Sequence, residues 1–217
     1  SVPADPATPE AKRDYCKVLG AIAPVDPNAP PVNFEVNLPM QWNGKAVQYG
    51  GGGSNGTLIT GLGPLRDARA DTPVPIARGF ATWGTDSGHD NKKLAEAQAF
   101  ALNDESLVNM AYASYKKTHD VGRRIATTFY DRAPAKVYYY GGSEGGREAL
   151  MMAQKFPADF DGIVSVVPVA NYTGSQLVRN RLAVLQQEGG WLNPAKVKLL
   201  KSAVNGACDM LDGRADG

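Results

Sequence analysis

The chain has 217 residues with ordinary fractions of apolar (43%) and charged (21%) side chains, and its formal net charge at pH 7 is +1. Such a length can bury the core of one large domain, or of one domain and part of a second. The near-zero charge gives no electrostatic reason to expect a nucleic acid or an anionic membrane, and no apolar run approaches the roughly 20 residues that cross a bilayer. We therefore expect no nucleic acid and no membrane among its partners, and a small substrate of low charge.

The N-terminal segment, residues 1–12, is polar and rich in Pro and Ala, and it lacks an initiator Met and the parts of a signal peptide. This composition favours a mature or trimmed N-terminus. The two cysteines, Cys16 and Cys208, could pair with each other, pair outside the chain or remain free, and their number does not decide between these alternatives.

The first part of the chain predicts strands separated by turns rich in Gly and Pro. These candidate strands cover residues 34–38, 45–49 and 76–83. Apolar side chains at helical spacing then predict a long helix over residues 104–131, with a break near Gly122.

The second part of the chain alternates strand and helix, which predicts an α/β fold. A strand over residues 135–140 leads through a short turn into a helix over 144–156, and the apolar run 162–167 suits a strand buried on both faces of a parallel sheet. Polar helices follow over 175–187 and 194–204. A composition shift near Asn171 separates a core domain, residues 1–170, from a second domain, residues 171–217, which we interpret as the beginning of a cap.

The turn between that strand and helix is Gly141-Gly142-Ser143-Glu144-Gly145, which satisfies the pattern G-x-S-x-G. A random chain of this length contains the pattern roughly once in fifteen cases, so the flanking strand and helix carry the prediction. They indicate that Ser143 is a nucleophile exposed at the carboxyl edge of the sheet, with the Glu144 amide beside it at a helix N-terminus, where it can stabilise an oxyanion. The alternative is an inert serine in a glycine-rich turn.

A second glycine cluster, residues 50–53, directly follows a predicted strand. Hydrolases with this serine turn place there the loop that supplies another oxyanion amide. A flexible surface loop and a phosphate-binding loop are alternatives, and the absence of a following GK[ST] disfavours the phosphate loop.

The chain has two histidines, His89 and His119, and both precede Ser143. The order of a hydrolase triad is Ser, then Asp or Glu, then His, so neither fits. His89 follows a predicted strand and could line a site, whereas His119 lies within the long helix and is interpreted as a packing residue.

Three segments resemble the tannase and feruloyl esterase family: residues 140–163 (YGGSEGGREALMMAQKFPADFDGI), the glycine cluster, and residues 84–89 (GTDSGH). The resemblance implies an α/β-hydrolase core with an inserted lid. It assigns Ser143 as nucleophile, with the Glu144 amide and an amide from Gly51 or Gly52 as the oxyanion hole. Arg147 also matches the family pattern and is interpreted as structural.

The resemblance also implies what lies outside these residues. The family's catalytic Asp and His would follow Gly217, so the chain resembles an N-terminal portion whose partner is a complementary C-terminal segment or chain, and the isolated portion is expected to be inactive. One departure is Gly142, where most members have a cysteine disulfide-bonded beside the catalytic histidine.

The C-terminal residues resemble part of the family's calcium loop. Asp209, Asp212 and Asp216, with the Arg214 carbonyl, would supply the hard oxygen ligands that Ca²⁺ prefers. A further family cysteine, beyond this sequence, would pair with the residue matching Cys208. Without the resemblance, an acidic solvated terminus is the simpler interpretation.

The predicted function is therefore that of a serine esterase for esters of aromatic acids, such as hydroxycinnamates, gallates or terephthalate monoesters, acting through an acyl-enzyme. It would need no organic cofactor, would carry structural calcium in the lid, and would be secreted or periplasmic. The alternatives are a catalytically inactive binding protein with the hydrolase fold, and an amidase or thioesterase with the same serine turn.

Overall fold

The computed structural model describes residues 14–91 and 99–216. It divides into two compact units, residues 1–170 and residues 171–217, so the division falls at Asn171. Each unit is described by itself.

The first unit is built on a six-stranded sheet with the strand order β1-β2-β4-β3-β5-β6. The first two strands pair antiparallel, β2 also pairs antiparallel with β4, and the remaining pairs are parallel. The strands are β1 (Tyr15–Ile22), β2 (Val32–Pro39), β3 (Lys45–Tyr49), β4 (Ala81–Thr85), β5 (Lys136–Gly142) and β6 (Gly162–Val166). This mostly parallel sheet with interspersed helices confirms the predicted α/β architecture.

Two long helices cover one face of the sheet. Helix α2 (Ser114–Tyr130) packs on β2 and β4, α3 (Glu144–Lys155) packs on β5 and β6, and the two helices contact each other. The core between them and the sheet is fully buried and is centred on Trp83, Tyr139 and Met152.

The predicted strand over residues 76–83 is wrong in its first half. Residues Pro75–Arg78 form a 3₁₀ helix, and Gly79 then adopts a left-handed conformation (φ 84°) before β4 begins at Ala81. Pro75, which has no amide proton, suits the first turn of a helix, and the left-handed residue ends it.

The predicted break in the long helix is also misplaced. A short helix α1 (Asp104–Val108) leads through a π-helical turn (Asn109–Ala113) into α2, which is continuous through Gly122. A Cβ on Gly122 would lie 2.6 Å from Cδ2 of Trp83, so this glycine permits close packing of α2 on the sheet.

The second unit contains α4 (Tyr172–Leu185), a π-helical turn (Gln186–Gly190) and α5 (Pro194–Cys208). Side chains cap both helices, since Asn171 accepts from the amide of Gly174 at 2.8 Å and Asn193 accepts from that of Lys196 at 2.9 Å. Neither helix contains a buried residue. Among the described residues, no helix is both long enough and apolar enough to cross a membrane.

Candidate active site

Ser143 occupies a strained turn between β5 and α3. Its backbone has φ 59° and ψ −115°, a conformation that costs a residue with a side chain roughly 1–3 kcal/mol. A Cβ on Gly141 would lie 2.0 Å from the carbonyl oxygen of Gly145, so the turn closes only because Gly141 has no side chain. The Ser143 side chain does not cap α3, although serine commonly caps a helix at this position.

Backbone hydrogen bonds fix this turn to the neighbouring strand. The Ser143 amide donates to the carbonyl of Val166 at 2.9 Å, and the Ser143 carbonyl accepts from the amides of Gly146 at 3.0 Å and Val169 at 3.2 Å. The serine is therefore held at the carboxyl ends of β5 and β6, where parallel α/β sheets bind their ligands.

Ser143 is half-buried and lines a cavity of about 400 Å³. The same cavity is lined by Gly51 and Gly52, so the structure brings the two predicted glycine motifs together. The complete lining is Tyr49, Gly50, Gly51, Gly52, Gly53, Pro64, Arg66, Tyr140, Gly141, Gly142 and Ser143.

The backbone amides at this cavity differ in their availability. The Gly51 amide donates to Oε2 of Glu148 at 3.1 Å, so it is already engaged. Within the described residues, the Gly52 amide has no hydrogen-bond partner. The Glu144 amide belongs to the first residue of α3, where a helix supplies no internal acceptor.

The Glu144 side chain, unlike its backbone amide, is not proposed to bind the oxyanion, and it is fully buried. It forms a salt bridge with Arg147, whose Nη2 lies 2.6 Å from its Oε1. Burial raises the pKa of Glu144, and Arg147 opposes that rise. Arg147 also donates to the carbonyls of Met110 and Ala111, at 2.9 and 2.8 Å, and so ties α3 to the π-helical turn.

The two histidines lie elsewhere. His89 lines a separate cavity of about 470 Å³, and its Nε2 lies 2.8 Å from the carbonyl oxygen of Ser54. His119 is buried against Trp83 and Phe160, and burial lowers its pKa. Over the described residues, no imidazole and no carboxylate lines the cavity of Ser143.

The sheet, the serine turn and the glycine loop agree with the comparisons to known proteins. A family model described as tannase and feruloyl esterase matches residues 16–217. The chain belongs to this family.

Relatives in the family include enzymes of bacteria and fungi. The chain is 40% identical to an uncharacterized esterase of Agrobacterium fabrum, over 98% of this chain and 38% of that protein. It is 35% identical to the mono(2-hydroxyethyl) terephthalate hydrolase of Piscinibacter sakaiensis, over 99% of this chain and 39% of that protein. The chain thus spans about two fifths of the length of these curated relatives.

The solved structure of feruloyl esterase B from Aspergillus oryzae matches with a TM-score of 0.75 at 26% identity, covering 93% of this chain and 38% of that one. Tannin acyl hydrolase from Aspergillus niger matches in fold, with a TM-score of 0.67 at 23% identity, over 93% of this chain and 37% of that one. The predicted α/β-hydrolase fold is therefore confirmed.

The calcium ligands predicted from the family resemblance, Asp209, Asp212 and Asp216, do not form a cluster with metal-ligand spacing among the described residues. Asp209 accepts from the amide of Asp216 at 3.2 Å and Asp212 from that of Arg214 at 3.0 Å, so the loop folds on itself. Among the described residues, the one acidic cluster with metal-ligand spacing lies elsewhere, at His119, Asp120 and Asp159.

In that acidic cluster, a lysine side chain already pairs with the two carboxylates. Lys116 places its Nζ 2.6 Å from Asp120 and 3.1 Å from Asp159.

The two cysteines do not form a disulfide with each other: Cys16 and Cys208 are both free thiols in this structure.

Several residues of the site escaped the sequence analysis. Arg66 and Tyr49 line the cavity. Tyr140, the first residue of the segment that resembles the family, was interpreted as structural, but it lines the cavity as well. Glu148 is fully buried and bonds to the glycine loop. The available signal for it was a second acidic residue four positions after Glu144, on the face of α3 that carries the buried Ala149 and Met152.

Proposed function

We propose that the protein is a carboxylic ester hydrolase in which Ser143 is the nucleophile. The observation that supports this most strongly is that Ser143, in a strained strand-to-helix turn, shares one cavity with a glycine loop. The amides proposed to bind an oxyanion are that of Gly52, which lines the cavity and has no partner within the described residues, and that of Glu144, the residue after Ser143 and the first of α3.

The proposed reaction has two halves. The Ser143 oxygen attacks the ester carbonyl while its proton passes to a base, and the amides of Gly52 and Glu144 bind the oxyanion of the tetrahedral intermediate. The intermediate collapses, the alcohol leaves with a proton, and an acyl-enzyme remains. Water then attacks the acyl carbon, and the acid is released with regeneration of the serine.

The base and its orienting acid are proposed to lie outside these residues. Neither histidine of the chain lines the cavity of Ser143. A complementary C-terminal segment or chain would supply both groups, in keeping with the two-fifths share of the relatives' length that this chain spans.

The proposed substrates are small esters of aromatic acids. Two tyrosine rings, Tyr49 and Tyr140, line the cavity at the nucleophile, and their ring centroids are 6.4 Å apart. Aromatic rings at this spacing provide a surface against which a planar acyl group can stack. Relatives named as feruloyl esterases and as a mono(2-hydroxyethyl) terephthalate hydrolase support the same class. A secreted or periplasmic location belongs to the same proposal. A calcium ion in the lid would need ligands in addition to Asp209, Asp212, Asp216 and the Arg214 carbonyl, since these carboxylates do not form a metal-ligand cluster by themselves.

The test compares natural full-length protein with its S143A variant on methyl ferulate, methyl gallate and mono(2-hydroxyethyl) terephthalate. We expect ester hydrolysis by the natural protein and a loss of about 10⁴-fold or more in kcat in the variant. S106A, which alters a buried serine of α1 outside the cavity, is the matched control and should retain activity. Faster cleavage of the corresponding anilides would favour an amidase, and equal rates for natural protein and S143A would overturn the proposal.

A further inference from the structure

Glu148 is a fully buried carboxylate in the second turn of α3. It accepts three hydrogen bonds: from the Gly51 amide at 3.1 Å, from the Asn55 side-chain amide at 2.6 Å and from the Tyr139 hydroxyl at 2.7 Å. Its own side chain is not part of the lining of the Ser143 cavity. Glu148 therefore contacts the glycine loop without lining the cavity that contains Ser143.

The hydrogen bonds of Glu148 hold both ends of the glycine loop. Gly51 lies at the start of the loop, and Asn55 closes it through a turn in which its amide donates to the Gly52 carbonyl at 2.9 Å. Gly52, whose amide is available, lies between these two anchored residues. The Gly145 amide also donates to the Gly51 carbonyl at 3.1 Å, so α3 holds the loop at a further point.

We propose that Glu148 is a positioning residue of the oxyanion hole, which fixes the Gly52 amide relative to Ser143. This inference rests on the proposed function. Because Glu148 and the Glu144 amide belong to the same helix, one rigid element places both halves of the oxyanion hole: one through its own backbone, the other through the loop that Glu148 binds.

The donors explain why this position needs a carboxylate. The three groups that hydrogen-bond to Glu148 are N–H or O–H donors, and a carboxylate is an acceptor at both oxygens. Tyr139 keeps its proton, because burial and then the charge of Glu148 raise its pKa. A glutamine would present an N–H to one of these donors and leave that contact repulsive.

The test is E148Q in the natural full-length protein. Since a small displacement of an oxyanion donor is costly, we expect kcat to fall about 10- to 100-fold while KM stays within about three-fold. A thionoester gives a readout that a purely structural role would not move, because sulfur is a weak acceptor and gains little from the oxyanion amides. The ratio of ester to thionoester turnover should therefore fall in E148Q.

A second substitution should rescue this defect. In E148Q/N55D, an aspartate at position 55 offers an acceptor to the new side-chain N–H, and it tolerates the left-handed backbone of that position (φ 59°). We expect the double variant to recover most of the lost kcat. The matched control is E105Q, since Glu105 also accepts two backbone amides, from Val25 and Asp26, but lies outside the cavity.

Hydrogen exchange separates this inference from the proposed function. Amides of residues 51–55 should exchange faster in E148Q than in the natural protein whether or not the protein is an esterase. Faster exchange in a protein without Ser143-dependent turnover would refute the esterase and leave the anchoring intact. Unchanged exchange and an unchanged ester to thionoester ratio in E148Q would overturn the inference.

Should E148Q fail to fold, Y139F provides the same test in weaker form. It removes one of the donors to Glu148 from the core side and leaves the loop contacts in place. We expect a smaller fall in kcat, of about three- to ten-fold, with the same change in the ester to thionoester ratio. A folded Y139F variant whose kcat and ester to thionoester ratio both equal those of the natural protein would contradict the inference.

Discussion

The backbone strain at Ser143 is tolerated because its neighbours leave space where other residues would have a side chain. Gly141 faces the backbone of Gly145, which belongs to α3 and cannot move aside. Gly142 faces only the stem of Arg66, an exposed side chain. Two adjacent glycines therefore have different physical roles in the same turn.

The substitutions G141A and G142A should separate these roles. A methyl group at 141 would lie 2.0 Å from a backbone oxygen, and we expect a loss of about 3 kcal/mol or more in the free energy of unfolding. A methyl group at 142 would meet the Arg66 Cδ at 2.7 Å, which a flexible side chain can relieve, and we expect a loss of no more than about 1 kcal/mol. Urea denaturation measures both, and equal losses would contradict the account.

At the scale of single residues, the sequence predicted the Ser143 turn but not the side chains that contact the site from distant parts of the chain. The pattern around Ser143 predicts a strand-to-helix turn, because glycine at fixed offsets reports a local steric demand. Glu148 and Arg66 act through contacts with residues distant in sequence. Glu148 is 97 positions from Gly51, and no local pattern reports such a pairing.

Helix α3 carries Glu144 and Glu148 and begins directly after Ser143, and Arg147 links it to the π-helical turn before α2. Its guanidinium is shared between the buried Glu144 carboxylate and the carbonyls of the π-helical turn before α2. A π-helical turn shifts the backbone hydrogen bonds and leaves carbonyls for other donors. The irregularity at residues 109–113 thus has a partner on α3.

Replacing Arg147 should produce a stability loss that depends on pH. In R147M the Glu144 carboxylate keeps its burial but loses its cation, so its pKa in the folded state rises further above the unfolded value. A raised pKa in the folded state favours folding at low pH, and this contribution is lost as the pH rises through that pKa. We expect a loss of about 3–5 kcal/mol near neutral pH and a smaller loss near pH 5.

Urea denaturation at the two pH values measures this difference, with R124M as control for an exposed arginine of α2. A loss in R147M that is the same at both pH values, or larger at the lower one, would contradict the role assigned to the Glu144–Arg147 pair.

The predictability of the elements followed their burial pattern. Strand β5 and helix α3 were predicted because the period of the apolar residues and the flanking glycines agree there. Strand β6 was also predicted, but its expected burial on both faces is wrong, since β6 ends the described sheet and Val164 is half exposed. Strand β1 was missed, since its run YCKVLGAI does not alternate clearly, and it is fixed by pairing with β2 alone. The segment 76–83 was misread because an apolar run does not distinguish a 3₁₀ turn from a strand.

On the scale of the whole molecule, the proposed nucleophile and the proposed oxyanion amides lie at a cavity that no imidazole or carboxylate of the described residues lines. Over the described residues the sheet ends at β6 on the side of the serine, and the cavity of Ser143 is lined by neither histidine of the chain. The share of about two fifths of the relatives' length agrees with a base supplied from elsewhere.

The 217-residue chain alone should therefore hydrolyse aromatic esters no faster than S143A of the same chain. An oxyanion hole without its triad retains at most about 10³- to 10⁴-fold catalysis over water, too little to exceed background with these esters. Circular dichroism of the chain alone serves as the control for folding. Addition of the complementary C-terminal segment should restore turnover. Full activity of the chain alone would contradict the proposed location of the base.

Covalent labelling of the natural full-length protein with a fluorophosphonate, read by intact mass and peptide mapping, tests the central claim most directly. We predict one adduct, located on Ser143, absent from S143A and suppressed by an aromatic ester. No adduct, or an adduct on another residue with Ser143 unmodified, would contradict it.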